Sequence, residues 1–377
     1  MKLSTPWLSC ASALAMAGAA SAQTSAPGYI APKTSWGVPD LQGTWSNASV
    51  TDMQREAEFP NLVLTPDEAA KMEGNDYYNI STREELRPSD TRDTRLLDGR
   101  DLLSGGGYNS FWIDQGSKVA SVKGTLRSSW IVDPADGRIP WKDPARRGGG
   151  AGGGSATSIQ ALDRYTPQTS GRDPSKLTLG GPIRVTPGRG GGEGSYDNPE
   201  TRPLSERCLI GFGNAGGPVM NNVIYNNRYQ IVQSPTHVMI LVEMAHDARI
   251  IPISKERVRP ESIKPWLGDS IGWYEGDTLV VETRNVNPQQ RGYISAQGKL
   301  TERFSRWNKG QITYEFTVDD PSLYAQPWKG EMSLNATGNI YEYACHEGNY
   351  SLHGILAGAR KFEREGKSVI PSFDEEG

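Results

Sequence analysis

The sequence predicts a mainly β protein, built as an antiparallel barrel or curved sheet with a few short helices and long glycine-rich loops. Glycine and proline contribute 43 and 25 of the 377 residues. Together they make up about 18% of the chain where about 12% is usual, and this excess favours turns and strands over a helical bundle. In the C-terminal half, short β-prone runs are separated by turn residues, and several alternate in polarity, as residues 313–318 do. Strands at this spacing favour an antiparallel meander that closes on itself.

The start of the chain has the features of a secretory signal peptide. Lys2 supplies a positive start, and Leu8–Ala20 is an apolar stretch too short to span a bilayer. An A-x-A cleavage site ends at Ala22, so we expect a mature periplasmic protein that begins at Gln23. The chain is accordingly divided into a signal peptide (1–22), an N-terminal wrapping segment (23–110), a barrel-like domain (111–365) with glycine-rich insertions at 146–200, and a C-terminal tail (366–377).

The charge balance limits the classes of partner. The formal net charge is −4, from 40 Lys and Arg against 44 Asp and Glu. Because no basic field is present, neither nucleic acid nor an anionic membrane surface is an expected partner. No stretch after the predicted signal peptide reaches 18 apolar residues, so stable membrane insertion is not expected. The expected partner is a small aromatic substrate or ligand, for which the aromatic residues considered below are the reason. A homo-oligomer is left open.

Two cysteines remain in the mature chain, Cys208 and Cys345. An even pair in an oxidising compartment favours a disulfide over the alternative of two buried free thiols.

Local patterns predict the first elements. Residues 40–46 are typical of an entry strand. Thr65 is expected to cap a helix that begins with Pro66, and Glu68 completes a capping box. A strand-like pattern over Trp112–Val132 leads into a turn at residues 133–137.

Seven strands and a closing helix are predicted in the C-terminal half. Residues 351–365 carry apolar side chains at helical spacing, which indicates a helix packed on the barrel. The predicted strands are Asn222–Tyr229, His237–Ile251, Asp277–Thr283, Leu300–Trp307, Gln311–Asp319, Lys329–Asn335 and Ile340–Cys345.

Two glycine blocks, Gly148–Gly154 and Gly188–Gly194, are interpreted as mobile loops or insertions. Neither follows a strand and opens a helix, as a phosphate-binding loop requires.

The chain has four histidines, and His246 has the most informative context. If residues 238–250 form one strand, His246 shares an otherwise apolar face, while Asp247 and Arg249 lie on the opposite face. An interior histidine suits proton transfer. The alternatives are a structural core histidine or a strand that ends before it.

Residues 341–350 concentrate polar and titratable side chains where a predicted strand meets the last helix. Tyr343, His346 and Glu347 are candidates for acid–base chemistry there. Alternatively, Glu347 and Asn349 only cap the helix.

A G-x-S-x-G sequence around Ser270 matches the nucleophile motif of serine hydrolases, but its context favours a turn. The spacing of His346, Glu347 and His353 matches no standard zinc site, so no metal is expected. Redox, calcium and dinucleotide motifs do not occur in the sequence, and we therefore expect that no cofactor is needed.

Aromatic residues cluster at predicted strand ends, which is typical of a cavity for a flat apolar ligand; ordinary core packing is the alternative. The candidate substrate-binding residues are Trp112, Tyr225, Asn227, Tyr229, Trp273, Asn349 and Tyr350.

Several motifs resemble those of a widespread, largely uncharacterised family of exported Gram-negative bacterial proteins. The resemblance covers most of the mature chain and implies a lipocalin-like barrel in its C-terminal half. The chain is also similar to cofactor-independent lyases that process lignin-derived phenolic dimers. The two glycine blocks are not part of the family pattern. The segments that carry the resemblance are 39–45 (PDLQGTW), 226–233 (NNRYQIVQ), 243–250 (EMAHDARI), 273–283 (WYEGDTLVVET) and 343–350 (YACHEGNY).

The leading hypothesis is a periplasmic, cofactor-independent carbon–carbon lyase. A base takes the proton of a phenol, and a side-chain carbon then leaves as carbon dioxide or an aldehyde. His246 or Glu347 is the expected acid or base, aided by Asp247. Arg249 is expected to orient a carboxylate or stabilise charge, and Tyr343 or Tyr350 to donate to an oxyanion. The alternatives are a binding protein for a hydrophobic aromatic ligand and a hydrolase that uses Ser270.

Overall fold

A ten-stranded antiparallel sheet, nearly closed into a barrel, dominates the computed structural model of the chain. The structure describes residues 25–85, 114–143 and 198–366, except 203, 212–214, 218 and 291. This sheet confirms the predicted fold class. The predicted signal peptide and both glycine blocks lie outside the described residues.

The described elements, in chain order, have the following bounds. The helices are α1 (Pro66–Asn75), α2 (Tyr77–Glu85) and α3 (Tyr350–Arg364). The strands are β1 (Gly43–Ser46), β2 (Ser121–Val122), β3 (Thr125–Leu126), β4 (Ile131–Asp133), β5 (Arg228–Gln233), β6 (His237–Val242), β7 (Ala248–Pro252), β8 (Asp269–Glu275), β9 (Thr278–Arg284), β10 (Lys299–Asn308), β11 (Gln311–Asp319) and β12 (Trp328–Ala336).

The sheet runs in the order β7-β6-β5-β1-β12-β11-β10-β9-β8, and β4 adds to β12. The two ends of this order meet at a seam between β7 and β8. There Ile253 and Gly272 form a parallel bridge, and the backbone N–H of Ser254 donates to the carbonyl of Gly272 at 2.8 Å. The seam therefore brings the first and last strands of the sheet together.

The side chains that face the interior of the barrel come from alternate residues of each strand, as the period of two requires. Around Trp328, aromatic rings pack edge to face, with Phe316 at 5.6 Å and Tyr324 at 5.8 Å between ring centres. Gly330 allows this arrangement, because a Cβ at that position would lie 2.1 Å from Cζ of Phe316. The phenylalanine ring thus occupies the space of the missing side chain.

The elements predicted near the N-terminus are confirmed. The entry strand is β1, which lies inside the sheet between β5 and β12. Thr65 caps α1, and Glu68 completes the capping box. The strand-like stretch before residue 133 contains the short strands β2, β3 and β4, and Gly137 N–H donates to the carbonyl of Pro134 in the predicted turn.

The prediction of one strand over His237–Ile251 is wrong, because β6 and β7 form a hairpin. Ala245 and His246 adopt positive φ angles of 60° and 46°, and Val242 N–H donates to the carbonyl of Asp247 at 2.8 Å. A left-handed backbone at two successive residues turns the chain back on itself, which no apolar pattern encodes.

Two further strand predictions need correction. Residues 222–227 form a loop rather than a strand, because the Asn227 side chain bonds both the N–H and the carbonyl of Val223. Ile340–Cys345 is irregular, and its Tyr341 N–H donates to the Glu243 carboxylate instead of to a neighbouring strand. Conversely, the sequence around Ser270 was predicted as a turn, and its residues from Asp269 onward belong to strand β8.

A disulfide joins Cys208 to Cys345, with an S–S distance of 2.03 Å, and confirms the predicted pair. Such a bond is compatible with an oxidising compartment. In the part of the chain that is described, no helix is both long and apolar enough to cross a membrane.

Candidate functional site

The β6–β7 hairpin decides which side chains of this region face the interior. Val242 is buried at the end of β6. After the loop of residues 243–246, the buried positions are Arg249 and Ile251, while Ala248 and Ile250 are exposed. The loop shifts the alternation of inward-facing and outward-facing residues by one position, so the residues of β7 predicted to face outward face inward, and the reverse. The predicted interior position of His246 is therefore wrong: His246 is exposed, and Asp247 and Arg249 lie on the inward-facing side.

Arg249 forms a fully buried ion pair with Glu302 of β10. The two side chains are 2% and 0% exposed. Nη1 donates to Oε1 at 2.9 Å, Nη2 donates to Oε2, and the hydroxyl of Tyr314 donates to Oε1 at 2.8 Å. Burial alone lowers the pKa of Arg249, but the facing carboxylate outweighs it and leaves the pKa above its usual value. The barrel thus holds a bidentate ion pair in an interior that is mostly apolar.

Two hydroxyl groups extend this cluster toward the seam. Arg249 Nη2 donates to Oγ1 of Thr283 at 3.2 Å, and that oxygen lies 2.8 Å from Oγ of Ser270. Arg249 Nε is buried and has no hydrogen-bond partner among the described residues. Ser270 lies within β8, opposite Thr283, and not at the strand-to-helix turn that a nucleophile elbow requires.

Ala215 and residues 219–223 pack over the cluster. The hydroxyl of Tyr229 donates to the carbonyl of Ala215 at 2.8 Å, and Met220 N–H donates to the hydroxyl of Tyr314 at 3.2 Å. Burial raises the pKa of both tyrosines, so both hydroxyls keep their protons and remain donors. Val219 in this segment has a φ of 58°, a strained angle for a β-branched residue and one found most often at functional sites.

Asp247 lies where the hairpin enters β7. Burial raises the pKa of its carboxyl to about 6, although nearby His246 acts in the opposite direction. Its Oδ2 atom is buried and has no partner among the described residues. A carboxyl with these properties can exchange a proton near neutral pH.

The segment before α3 packs against the same hairpin. Tyr341 N–H donates to Oε1 of Glu243 at 2.9 Å, and burial raises the pKa of this glutamate. The Arg228 guanidinium lies 5.1 Å from the centre of the Tyr341 ring. Tyr343 stacks on Tyr225 with 6.5 Å between ring centres. An aromatic pair therefore borders this end of the barrel.

The other predicted site residues do not join this cluster. His346 and Glu347 are exposed in the turn before α3. Tyr350 is 82% exposed, and Asn349 caps α3, as the structural alternative predicted.

Three more predicted ligand residues lie elsewhere. Asn227 is buried and holds the loop before β5. The indole of Trp273 donates to Glu275 near the other end of β8. Trp112 lies outside the described residues.

Sequence reasoning missed Glu302, Thr283 and Tyr314. A usable signal was present: Glu302 stands between Leu300 and Phe304, in the apolar phase of a strand-like run. A charged residue in that phase must be paired if it is buried, and this marks it as a candidate.

The chain matches no known protein-family model. No curated protein sequence is significantly similar to it. Within the described ranges, no group of three or more His, Cys, Asp or Glu residues is placed to hold a metal ion.

Proposed function

We propose that this protein is a periplasmic, cofactor-independent lyase that acts by acid–base chemistry on a small phenolic molecule, with Asp247 as the proton acceptor. The observation that carries the proposal is the Asp247 carboxyl, which has a buried, unpartnered oxygen and a pKa of about 6. A base whose pKa lies near the working pH combines the correct protonation state with a sufficient driving force. Asp247 thereby takes the role that the sequence had suggested for His246 or Glu347.

The proposed reaction begins with transfer of the phenol proton to Asp247. The phenolate electron pair moves through the ring and expels the oxygen of the benzylic C–O bond, which takes the proton back from Asp247, and a quinone-methide-like species is formed. A side-chain carboxylate, or a side-chain hydroxyl that gives its proton to Asp247, then forms a C=O bond as the carbon–carbon bond breaks, and the released electron pair makes a C=C bond and restores the phenolate. The departing carbon leaves as carbon dioxide or an aldehyde. Arg249 lies two residues after Asp247 on the same inward-facing side. With its buried neighbours it supplies fixed polar groups, which stabilise developing charge better than mobile water does.

The aromatic nature of the substrate is supported by the stacked pair of Tyr225 and Tyr343, which border the same end of the barrel. Both side chains pack against the hydrophobic core and remain partly exposed. Such half-buried rings suit the face of a flat ligand. The resemblance of the motifs to lyases of lignin-derived phenolic dimers is a prediction that points to the same chemical class.

The test is turnover of phenylcoumaran-type compounds by the purified protein, with product identified by mass. We expect Asp247→Asn to reduce kcat/KM by about 10²- to 10⁴-fold, the usual contribution of a general base. His246→Ala and Asp277→Asn, an exposed aspartate in the β8–β9 turn, serve as controls that retain activity. In the parent protein, kcat/KM should rise with an apparent pKa near 6. Full turnover by Asp247→Asn would remove the assignment.

A binding protein for a hydrophobic aromatic ligand is the second candidate function. It is favoured by the state of Arg249, whose charge is already paired with Glu302 under a covering segment. Quenching of tryptophan fluorescence by the same compounds, with no product formed over hours, would support binding without chemistry.

A further inference from the structure

We propose that Arg249, Thr283 and Ser270 form a subsite for an uncharged oxygen acceptor, such as a carbonyl or hydroxyl group, on an aromatic ligand. The subsite excludes carboxylates. This inference deepens the proposed function by naming a class of ligand, and it rests on that function only where the ligand is taken to be the substrate.

One edge of the Arg249 guanidinium is not used by Glu302. Glu302 occupies Nη1 and Nη2 of Arg249. The adjacent edge consists of Nε and the second N–H of Nη2, and the latter donates to Thr283 at 3.2 Å. Nε is left without an acceptor, in a side chain that is 2% exposed. A buried donor without a partner is costly, so this edge is the natural place for an acceptor oxygen of a ligand.

Two hydroxyl groups lie beside that edge. Oγ1 of Thr283 and Oγ of Ser270 are 2.8 Å apart, and either can be the donor. Hydroxyls rotate to donate or accept. A ligand oxygen at Nε therefore meets one fixed donor and a neighbouring pair of adaptable groups, which matches a carbonyl or a hydroxyl.

The charge balance of the buried pair disfavours a ligand anion. The charge of Arg249 is neutralised by Glu302, which is itself fully buried. A ligand carboxylate would place two anions on one cation and leave a net negative charge in the interior, where charge is expensive. An uncharged oxygen adds a hydrogen bond at Nε without this penalty, and this decides between the two kinds of acceptor.

The cover over the subsite is made of main chain at two glycines. A Cβ on Gly217 would lie 3.5 Å from Nη1 of Arg249, and one on Gly268 would lie 2.7 Å from Cγ2 of Thr283. Both glycines have positive φ angles, of 96° and 77°. The two backbone segments thus approach the subsite without side chains, next to the seam between β7 and β8.

Acetophenone and benzoate test the inference at neutral pH, because they are close in shape and differ in charge. Binding is measured by calorimetry and by thermal shift. We expect acetophenone to bind the parent protein at least tenfold more tightly than benzoate. Thr283→Val should weaken acetophenone binding about tenfold, because it removes the hydroxyl that links the Arg249 guanidinium to Ser270. Thr313→Val, a buried threonine in β11, is the matched control and should bind like the parent.

A variant that should reverse the preference between acetophenone and benzoate provides an independent readout. Glu302→Gln removes the negative partner of Arg249 and keeps its shape, so benzoate should then bind more tightly than acetophenone. If that variant does not fold, the comparison of Thr283→Val with Thr313→Val decides. Benzoate binding the parent as tightly as acetophenone, or equal acetophenone binding by the two threonine variants, would overturn the subsite.

The same measurements separate this inference from the proposed lyase. Asp247→Asn should lose turnover and still bind acetophenone. If the parent shows no turnover while the preferences hold, the lyase proposal fails and the subsite stands.

Discussion

The buried pair of Arg249 and Glu302 gives the sharpest stability prediction. Arg249→Met leaves the Glu302 carboxylate, which is 0% exposed, without its counter-charge and without two hydrogen bonds. Removing one partner of a buried pair costs about 3–5 kcal/mol. We expect a loss of this size in the free energy of unfolding, measured by urea denaturation at pH 7 with the disulfide intact.

The double variant, Arg249→Met with Glu302→Leu, supplies the decisive comparison. Because both charges are gone, it should be more stable than Arg249→Met alone, although it carries more changes. Arg303 and Glu275 are a matched surface pair, 2.8 Å apart with side chains 38% and 48% exposed. Arg303→Met should therefore cost no more than about 1 kcal/mol.

Two outcomes would refute this reasoning. One is a loss below about 1 kcal/mol for Arg249→Met, the value typical of a solvated pair. The other is strict additivity of the two single changes in the double variant. An unchanged m-value across the series would show that the compactness of the denatured state is not responsible.

Three further predictions follow from local features. The folded-state pKa of Asp247 is raised to about 6, so ionisation of this carboxyl opposes folding as pH rises from about 4 to about 6. Asp247→Asn should therefore raise the free energy of unfolding by about 1–2 kcal/mol at pH 7, after allowance for solvent screening. At pH 3 it should change nothing, and urea denaturation at both pH values checks this. Replacing Cys208 and Cys345 by serine opens a cross-link between residues 137 apart and should cost about 4 kcal/mol; no difference from the parent under non-reducing conditions would contradict it. Thr65→Ala removes the cap of α1 and should lower the free energy of unfolding by about 1 kcal/mol. Thr125→Ala, at a half-buried threonine of β3, is the control. An equal loss in both variants would contradict a specific role for the cap.

The elements that the sequence predicted well depend on short-range chemistry. The capping box of Thr65 and Glu68 is satisfied within four residues of chain, and the alternation in β11 is visible in the residues themselves. The disulfide was predicted from the expected oxidising compartment and from the even pair of cysteines that follows the predicted signal peptide. None of these requires knowledge of distant contacts.

The elements that it predicted wrongly depend on distant partners or on backbone angles. The hairpin needs a left-handed backbone at both Ala245 and His246, and neither alanine nor histidine by itself predicts that conformation. Asp247 and Arg249 were therefore selected as site residues but assigned to the outer face. Ile340–Cys345 is β-prone, yet its backbone meets a side chain of the hairpin instead of an unpaired strand.

By itself, the sequence determined that this chain is β-rich, that Cys208 and Cys345 pair, and that Asp247 and Arg249 belong among the functional candidates. Only the tertiary structure decided that Arg249 meets Glu302, a residue 53 positions away, that one guanidinium edge is left open, and that His246 faces outward. The physical reason is that a strand carries a repeat of two but no absolute phase. The phase is fixed when a turn of given length sets the register and a buried charge finds its partner across the barrel.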